Sequence, residues 1–202
     1  IGGKDSSDTA GLFSRLSLIL FTTSKSQNYA SELYDGSFDW TIYDQVGNLV
    51  NDMVAKGYFN VDYLTADKAG GYRGLAENKV AFAFQSNQTI AEAKKINENA
   101  AVKMMKLPGL TAEDAPCLIS GERDAVGAWK DGKNLEAALV FIDYLAKPKN
   151  VKLVSEAYNL PPSMVTVTDV KPEIADLLTV INGCYVSNHF DREYLPDGMW
   201  NV

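Results

Sequence analysis

A run of five consecutive apolar residues, Val80 to Phe84, constrains the fold more than any other feature of the chain. An apolar run of this length, bounded by polar residues, is typical of a strand that is buried on both faces of a sheet. Segments with helical spacing of apolar residues lie on either side of it, such as the one that contains Val46, Leu49 and Val50. Strands that alternate with helices predict an α/β fold.

The rest of the pattern predicts further helices and strands. Asp8 or Thr9 is predicted to cap the first helix, and Gly57 to end the helix that begins at Trp40. Predicted helices comprise residues 10–21, 40–56, 89–100, 135–148, 149–159 and 172–184, and Pro148 is predicted to open the helix at 149–159. Further predicted strands comprise residues 101–109, 117–120 and 125–129. Two proline-containing stops, at 107–109 and 160–162, are either hinges between lobes or ordinary loops, and the pattern leaves both interpretations open.

The net charge of the chain argues against two classes of partner. It is −7 over 202 residues, which disfavours nucleic acid and anionic membrane surfaces because both require a basic face. No run reaches the about 18 apolar residues of a membrane span, so we expect no direct membrane insertion by this segment. The chain begins at Ile1, and we expect that any targeting segment has already been removed.

Catalytic and metal-binding patterns are not evident in the sequence. His189 is the single histidine, and no nucleophile or metal ligand is placed near it. Cys117 and Cys184 are far apart in sequence, so zinc is not expected; two buried thiols are favoured, and a disulfide stays open. We therefore expect no metal, no cofactor and no enzymatic activity.

The polar segment that follows the apolar run is a candidate binding site. Ligands of open α/β sheets bind beyond the carboxyl ends of the strands. Gln85, Asn87 and Gln88 would present amide groups there, which both donate and accept hydrogen bonds and so suit a polyhydroxylated ligand. An ordinary polar turn that caps the helix starting near Thr89 is the alternative.

Five motifs occur in a fixed order along the chain: LVNDMVAKGYFN, GLAENKVAFAFQSN, VKMMKLPG, KNLEAALVFIDYLAKPKN and SEAYNLPPS. Each is weak alone, but together they cover nearly the whole chain. The series resembles the extracellular solute-binding proteins of ABC importers, in the sugar-binding family related to maltose-binding protein. The resemblance implies a periplasmic-binding-protein-like fold of type II, in which two α/β lobes close around a ligand.

The resemblance also implies an organisation and a function. Residues 1–106 and 163–202 would belong to the C-terminal lobe and residues 107–162 to the N-terminal lobe, so the chain looks like a fragment that lacks the N-terminal part. The implied ligand is a mono- or oligosaccharide bound in the cleft between the lobes, and the implied partner is a membrane permease. The implied location is extracellular, either as a cell-surface lipoprotein or in the periplasm.

Two departures from the family pattern affect the expected site. The family commonly has Gly-x-Trp where this chain has Ser86, Asn87 and Gln88, so the stacking tryptophan is missing. Trp40, Trp129 or Trp200 could replace it, and core packing is the alternative for Trp40 and Trp129. Arg123 and Asp124 stand where the family has a nearly uncharged turn. If Arg123 faces the cleft, acidic sugars such as uronates become plausible ligands.

Two other classes of protein remain as alternatives. One is a structural or interaction module of the cell surface, which would bind no small ligand. The other is a fragment of a secreted carbohydrate-active enzyme, which would need two carboxylates about 5–10 Å apart across a cleft.

Overall fold

The computed structural model describes residues 1–121 and 125–196, in which most of the regular secondary structure is helical. The helices are α1 (Ser6–Phe21), α2 (Ala30–Asp35), α3 (Asp44–Ala55), α4 (Lys68–Ala76), α5 (Gln88–Ile96), α6 (Leu135–Leu145), α7 (Pro148–Tyr158), α8 (Pro172–Ile181) and α9 (Phe190–Tyr194), with a 3₁₀ turn at Trp40–Tyr43. The strands β1 (Cys117–Ile119) and β2 (Tyr185–Ser187) pair in parallel. No helix in these ranges is both long and apolar enough to cross a membrane.

The chain divides into two compact units. Of the described residues, 1–121 and 181–196 form unit 1, and 125–180 form unit 2. The lobe assignment expected from the sequence, residues 1–106 and 163–202 against 107–162, and the cleft between those lobes stay predictions.

Helix α1 is the centre of unit 1. It is apolar on most of its circumference, and its buried residues include Leu12, Leu16, Leu18 and Phe21. A helix with this pattern is stable only when neighbours surround it. The neighbours are supplied by α2, α3 and α9, whose buried side chains are Leu33, Val46 and Phe190, together with Phe38.

The beginning of α1 differs from the prediction. The residue before the helix is Asp5, so the predicted caps Asp8 and Thr9 lie inside the first turn. The Asp5 carboxylate caps no N–H of its own helix and instead accepts a hydrogen bond of 2.6 Å from the backbone N–H of Lys68. Asp8 is buried. The first turn of α1 is therefore held by its contact with the start of α4.

The predicted buried strand at Val80–Phe84 is wrong. The described structure has no strand there, and Phe82 is 71% exposed. A strand needs a neighbouring strand to bond its N–H and C=O groups, and the described residues place none beside this run. The predictions at 101–109 and 125–129 fail in the same way, apart from an isolated antiparallel bridge between Leu107 and Cys117.

The small parallel sheet brings together two distant parts of the chain. Cys117 is in register with Tyr185, and Ile119 with Ser187. The strand at Cys117 was predicted, whereas β2 and α9 were not, because elements this short show no measurable period. Cys117 is buried, which raises the pKa of its thiol to about 11, and it is not joined to Cys184 in a disulfide.

The helices α3 and α5 to α8 overlap the predicted helices, whereas α2 lies in a segment for which no helix was predicted. Gly57 follows α3 with a φ of +69°, the left-handed conformation that favours glycine after a helix end. Pro148 is the first residue of α7, where its missing N–H costs no helical hydrogen bond. In unit 2 the buried apolar residues come from α7, α8 and the segment between them: Val151, Val167, Ile174 and Leu177.

A buried carboxylate ties the loop after α1 to a distant turn. Asp114 accepts hydrogen bonds from the hydroxyl of Ser24 (3.1 Å), the backbone N–H of Lys25 (2.8 Å) and both the N–H and the hydroxyl of Thr111 (2.9 Å each). These donors, led by the Lys25 N–H, lower the pKa of Asp114 from its ordinary value of 3.8. The charged form of Asp114 is therefore the one that the fold stabilises.

We predict that Asp114→Asn destabilises the protein at neutral pH because an amide cannot accept from all four donors. Because the pKa of Asp114 is lowered in the folded state, its charged form stabilises the fold at pH values above its ordinary pKa of 3.8. This stabilisation is lost as the pH falls through the lower pKa of the folded state. Urea unfolding from pH 7 to pH 2 should show that the difference in free energy of unfolding between wild type and variant shrinks below about pH 4. A gap independent of pH would contradict this assignment.

Candidate functional site

A pocket of about 510 Å³ opens beside the first turns of α1. Ser6, Thr9, Ala10 and Phe13 of α1 line it. Their spacing of three and four residues places them on one face of the helix. The other lining residues lie in unit 1 as well and include Gly3, Lys4, Ser14, Tyr43, Phe190 and Asp191.

The glycine pair at the start of the chain allows the segment before α1 to approach another loop closely. The N–H of Gly3 donates to the carbonyl of Tyr63 at 2.7 Å, and a Cβ at Gly3 would lie 2.2 Å from that oxygen. The N–H of Lys4 donates to the carbonyl of Ala66 at 3.1 Å. These two bonds fix the edge of the pocket formed by Gly3 and Lys4.

Aromatic residues form the inner wall of the pocket. Phe190 is buried, and its N–H donates to the Ser14 hydroxyl at 2.8 Å. The rings of Tyr43 and Phe190 lie 6.4 Å apart, and the Ser17 hydroxyl donates to the Tyr43 oxygen at 3.0 Å. Burial raises the pKa of Tyr43, so this phenol stays neutral at physiological pH. The wall is therefore apolar and held by internal hydrogen bonds.

The pocket contains two charged side chains in different surroundings. Lys4 is exposed, whereas Asp191 is partly buried. The Oδ1 atom of Asp191 is itself buried and accepts no hydrogen bond from the residues that the structure describes. An unsatisfied buried acceptor is uncommon and indicates a place where a donor is expected.

The lining combines apolar rings, small hydroxyls and a carboxylate. Rings such as Phe13 and Tyr43 can contact the apolar face of a ligand, and Ser6, Thr9 and Asp191 can bond to its polar groups. This combination suits a small polyhydroxylated molecule. Among residues 1–121 and 125–196 there is no cluster of three His, Cys, Asp or Glu side chains that could hold a metal ion.

Gln85, the first predicted ligand residue, is part of an internal polar network. Its amide NH₂ donates to the Asp8 carboxylate at 3.0 Å and to the Lys68 carbonyl at 3.1 Å, and its amide oxygen accepts from Thr89 at 3.3 Å. The Arg15 guanidinium donates to the backbone oxygen of Gln85 at 3.4 Å. The Gln85 side chain thus connects α1, α4 and α5, and its role in ligand binding stays a prediction.

The other predicted site residues lie in two places. Asn87 and Gln88 are partly buried where α5 begins. Trp40 is 51% exposed, and its ring lies 5.1 Å from that of Phe38 and 5.9 Å from that of Tyr43. Trp40 therefore neighbours the pocket through Tyr43. The ligand contacts expected of all three residues stay predictions.

Arg123 and Asp124 lie outside the described residues, as does Trp200. Their predicted roles, including the acidic-sugar preference that depends on Arg123, stay predictions.

The pocket itself was not predicted from the sequence. Its residues come from three separated segments, of which α9 has no readable period. The one available signal was the helical spacing of Ser6, Thr9, Ala10 and Phe13, which places two hydroxyls and a ring on one face of a helix.

The sequence and the fold have recognisable relatives. Residues 8–178 match the family model of bacterial extracellular solute-binding proteins, and because the match covers most of the chain, the chain belongs to this family. It is 33% identical over 202 residues to the melibiose/raffinose/stachyose-binding protein MelE of Bacillus subtilis, a match that covers 99% of the chain and 47% of MelE.

Two solved structures are similar. One is a binding protein named MsmE from Bacillus subtilis in an open conformation, with a TM-score of 0.85 and 31% identity over 99% of this chain and 50% of that one. The other is a sugar transporter from Bacillus licheniformis in complex with stachyose. It has a TM-score of 0.86 and 29% identity over 98% of this chain and 52% of that one. These similarities confirm the predicted periplasmic-binding-protein fold. The chain spans about half the length of these relatives.

We predict that Gly3→Ala destabilises the protein by about 1–3 kcal/mol because the added methyl group would collide with the Tyr63 carbonyl. Gly47→Ala is the matched control, since a Cβ there meets nothing within 4 Å and alanine favours the helix α3. Urea unfolding should show the control unchanged or more stable. Equal effects of the two substitutions would refute the close approach at Gly3.

We predict that Gln85→Glu lowers the free energy of unfolding by about 1–3 kcal/mol because a second carboxylate would face Asp8 and the donor to Lys68 would be lost. Gln88→Glu is the control, because a carboxylate in the first turn of α5 is favourable there. Thermal unfolding of both variants at pH 7 measures the difference. If Gln85→Glu leaves the free energy of unfolding unchanged, the network does not hold the three helices together.

Proposed function

We propose that this chain is the sugar-binding part of the solute-binding protein of an ABC importer, which captures an oligosaccharide outside the cell and delivers it to a membrane permease. Membership of the family supports a binding role. The similarity to MelE and to the stachyose complex supports an oligosaccharide as the ligand. Because the chain spans about half the length of these relatives, the proposal concerns the full-length gene product.

The observation that carries the proposal is the composition of the pocket in unit 1. A sugar ring has faces of C–H groups and a rim of hydroxyls, so its site needs apolar rings and polar groups at once. Phe13 and Tyr43 supply the rings, and Ser6, Thr9 and Asp191 supply the polar groups. The wall is held by bonds inside the protein, so little ordering is required when a ligand binds.

The proposed mechanism is capture without chemical change. A ligand that binds one conformation more tightly than another shifts the population toward that conformation, and the permease would recognise the ligand-bound form. The protein would act on the outer side of the membrane, as a cell-surface lipoprotein or in the periplasm.

The first test is titration calorimetry and thermal unfolding of the full-length gene product with melibiose, raffinose and stachyose. A ligand at 100 times its Kd should stabilise the native state by about 2.7 kcal/mol, which raises the melting temperature measurably. Glycine and glutamine serve as controls and should have no effect. Stabilisation by amino acids alone, or by none of these solutes, would contradict the proposal.

A variant that fills the pocket tests its location. Ala10→Phe places a large ring among the lining residues and should weaken sugar binding about tenfold or more, because the remaining space no longer fits a sugar ring. Ala55→Phe makes the same change at the exposed end of α3 and should leave affinity unchanged. If Ala10→Phe folds normally and binds as tightly as wild type, the sugar binds elsewhere.

A further inference from the structure

Asp191 carries the pocket charge that solvent screens least. Lys4 also lines the pocket, but its side chain is exposed, so water and salt weaken its field. Asp191 is partly buried, and its Oδ1 atom is buried without a hydrogen bond from the described residues. A charge acts more strongly in such surroundings because the local dielectric constant is lower. Asp191 therefore contributes a negative field inside the pocket.

The neighbouring wall is consistent with this field. Burial is the main cause of the raised pKa of Tyr43, and the negative charge of Asp191 raises it further, while the bond from Ser17 lowers it. Asp191 thus acts on an aromatic residue that lines the same pocket.

The cation on α1, Arg15, has other partners. The guanidinium of Arg15 donates to the carbonyls of Gly11 at 2.6 Å and Gln85 at 3.4 Å. The electrostatic partner that favours its charged form is Asp8. Arg15 is therefore engaged on the side of the Gln85 network and is not among the residues that line the pocket.

We infer that Asp191 determines the charge class of the ligand, so that the pocket accepts neutral sugars and rejects uronates. An ionised carboxylate only accepts hydrogen bonds, so the Asp191 carboxylate, which lines the pocket, can accept one from a sugar hydroxyl. The carboxylate of a uronate supplies no donor and is repelled, and like charges that face each other select strongly against a wrong ligand. The inference rests on the proposed function, because it names the ligand class of the same pocket.

The test is titration calorimetry of the full-length gene product with raffinose and with α-1,4-digalacturonate, at 50 mM and 500 mM NaCl. Wild type should bind raffinose at least about tenfold more tightly than digalacturonate, and the preference should persist at high salt because Asp191 is partly buried. Asp191→Asn should weaken raffinose binding about tenfold or more, since a hydrogen bond to a charged acceptor is replaced by a neutral one. Asp191→Asn should also reduce the preference for raffinose over digalacturonate.

Glu193→Gln is the matched control, because Glu193 lies on the same helix and its carboxylate is bonded to Tyr34 and Asn188. Glu193→Gln should leave the affinities for raffinose and for digalacturonate unchanged. Thermal unfolding checks that both variants fold. If wild type binds raffinose but Asp191→Asn binds both ligands as wild type does, the inference is wrong and the proposed function stands. A wild type that prefers digalacturonate also overturns the inference alone. Binding of neither sugar refutes the inference together with its oligosaccharide premise.

Discussion

The burial of helix α1 is the constraint on which unit 1 depends. Its apolar residues face several directions, so no single neighbour can cover them. The ring of Phe21 shows the result, because it contacts the rings of Tyr29, Phe38, Tyr43 and Phe190 at centroid distances of 5.6–6.4 Å. Helices from distant parts of the sequence are held around α1 by such contacts.

The pocket arises from the same packing. The first turns of α1 carry small and polar residues, and the chain before the helix is held against the loop at Tyr63 and Ala66. A space therefore remains between this end of α1, Tyr43 and Phe190. Because its wall belongs to the core, the pocket is built on a rigid part of the structure, which favours a defined binding geometry.

Long elements with a clear period were predictable from the sequence. The helices α3, α5, α7 and α8 follow from the spacing of apolar residues, and Gly57 and Pro148 mark boundaries for conformational reasons. The apolar run at residues 80–84 was wrongly predicted to be a buried strand. An apolar run shows that its residues favour a strand, but it does not show whether a partner strand lies beside them.

The candidate site was only partly predictable. Gln85 was chosen for its position after an apolar run, and its amide proved to be bonded to Asp8 and Lys68. A local sequence pattern cannot show where a side chain's hydrogen bonds go. Asp191 was missed because it lies on a five-residue helix that only the tertiary structure brings to α1.

The most direct test of the account is a crystal structure of the full-length gene product grown with raffinose. The account predicts a sugar ring against Phe13 and Tyr43, with a hydroxyl within hydrogen-bond distance of the Asp191 carboxylate. Raffinose bound at another place, with this pocket containing only water, would contradict it.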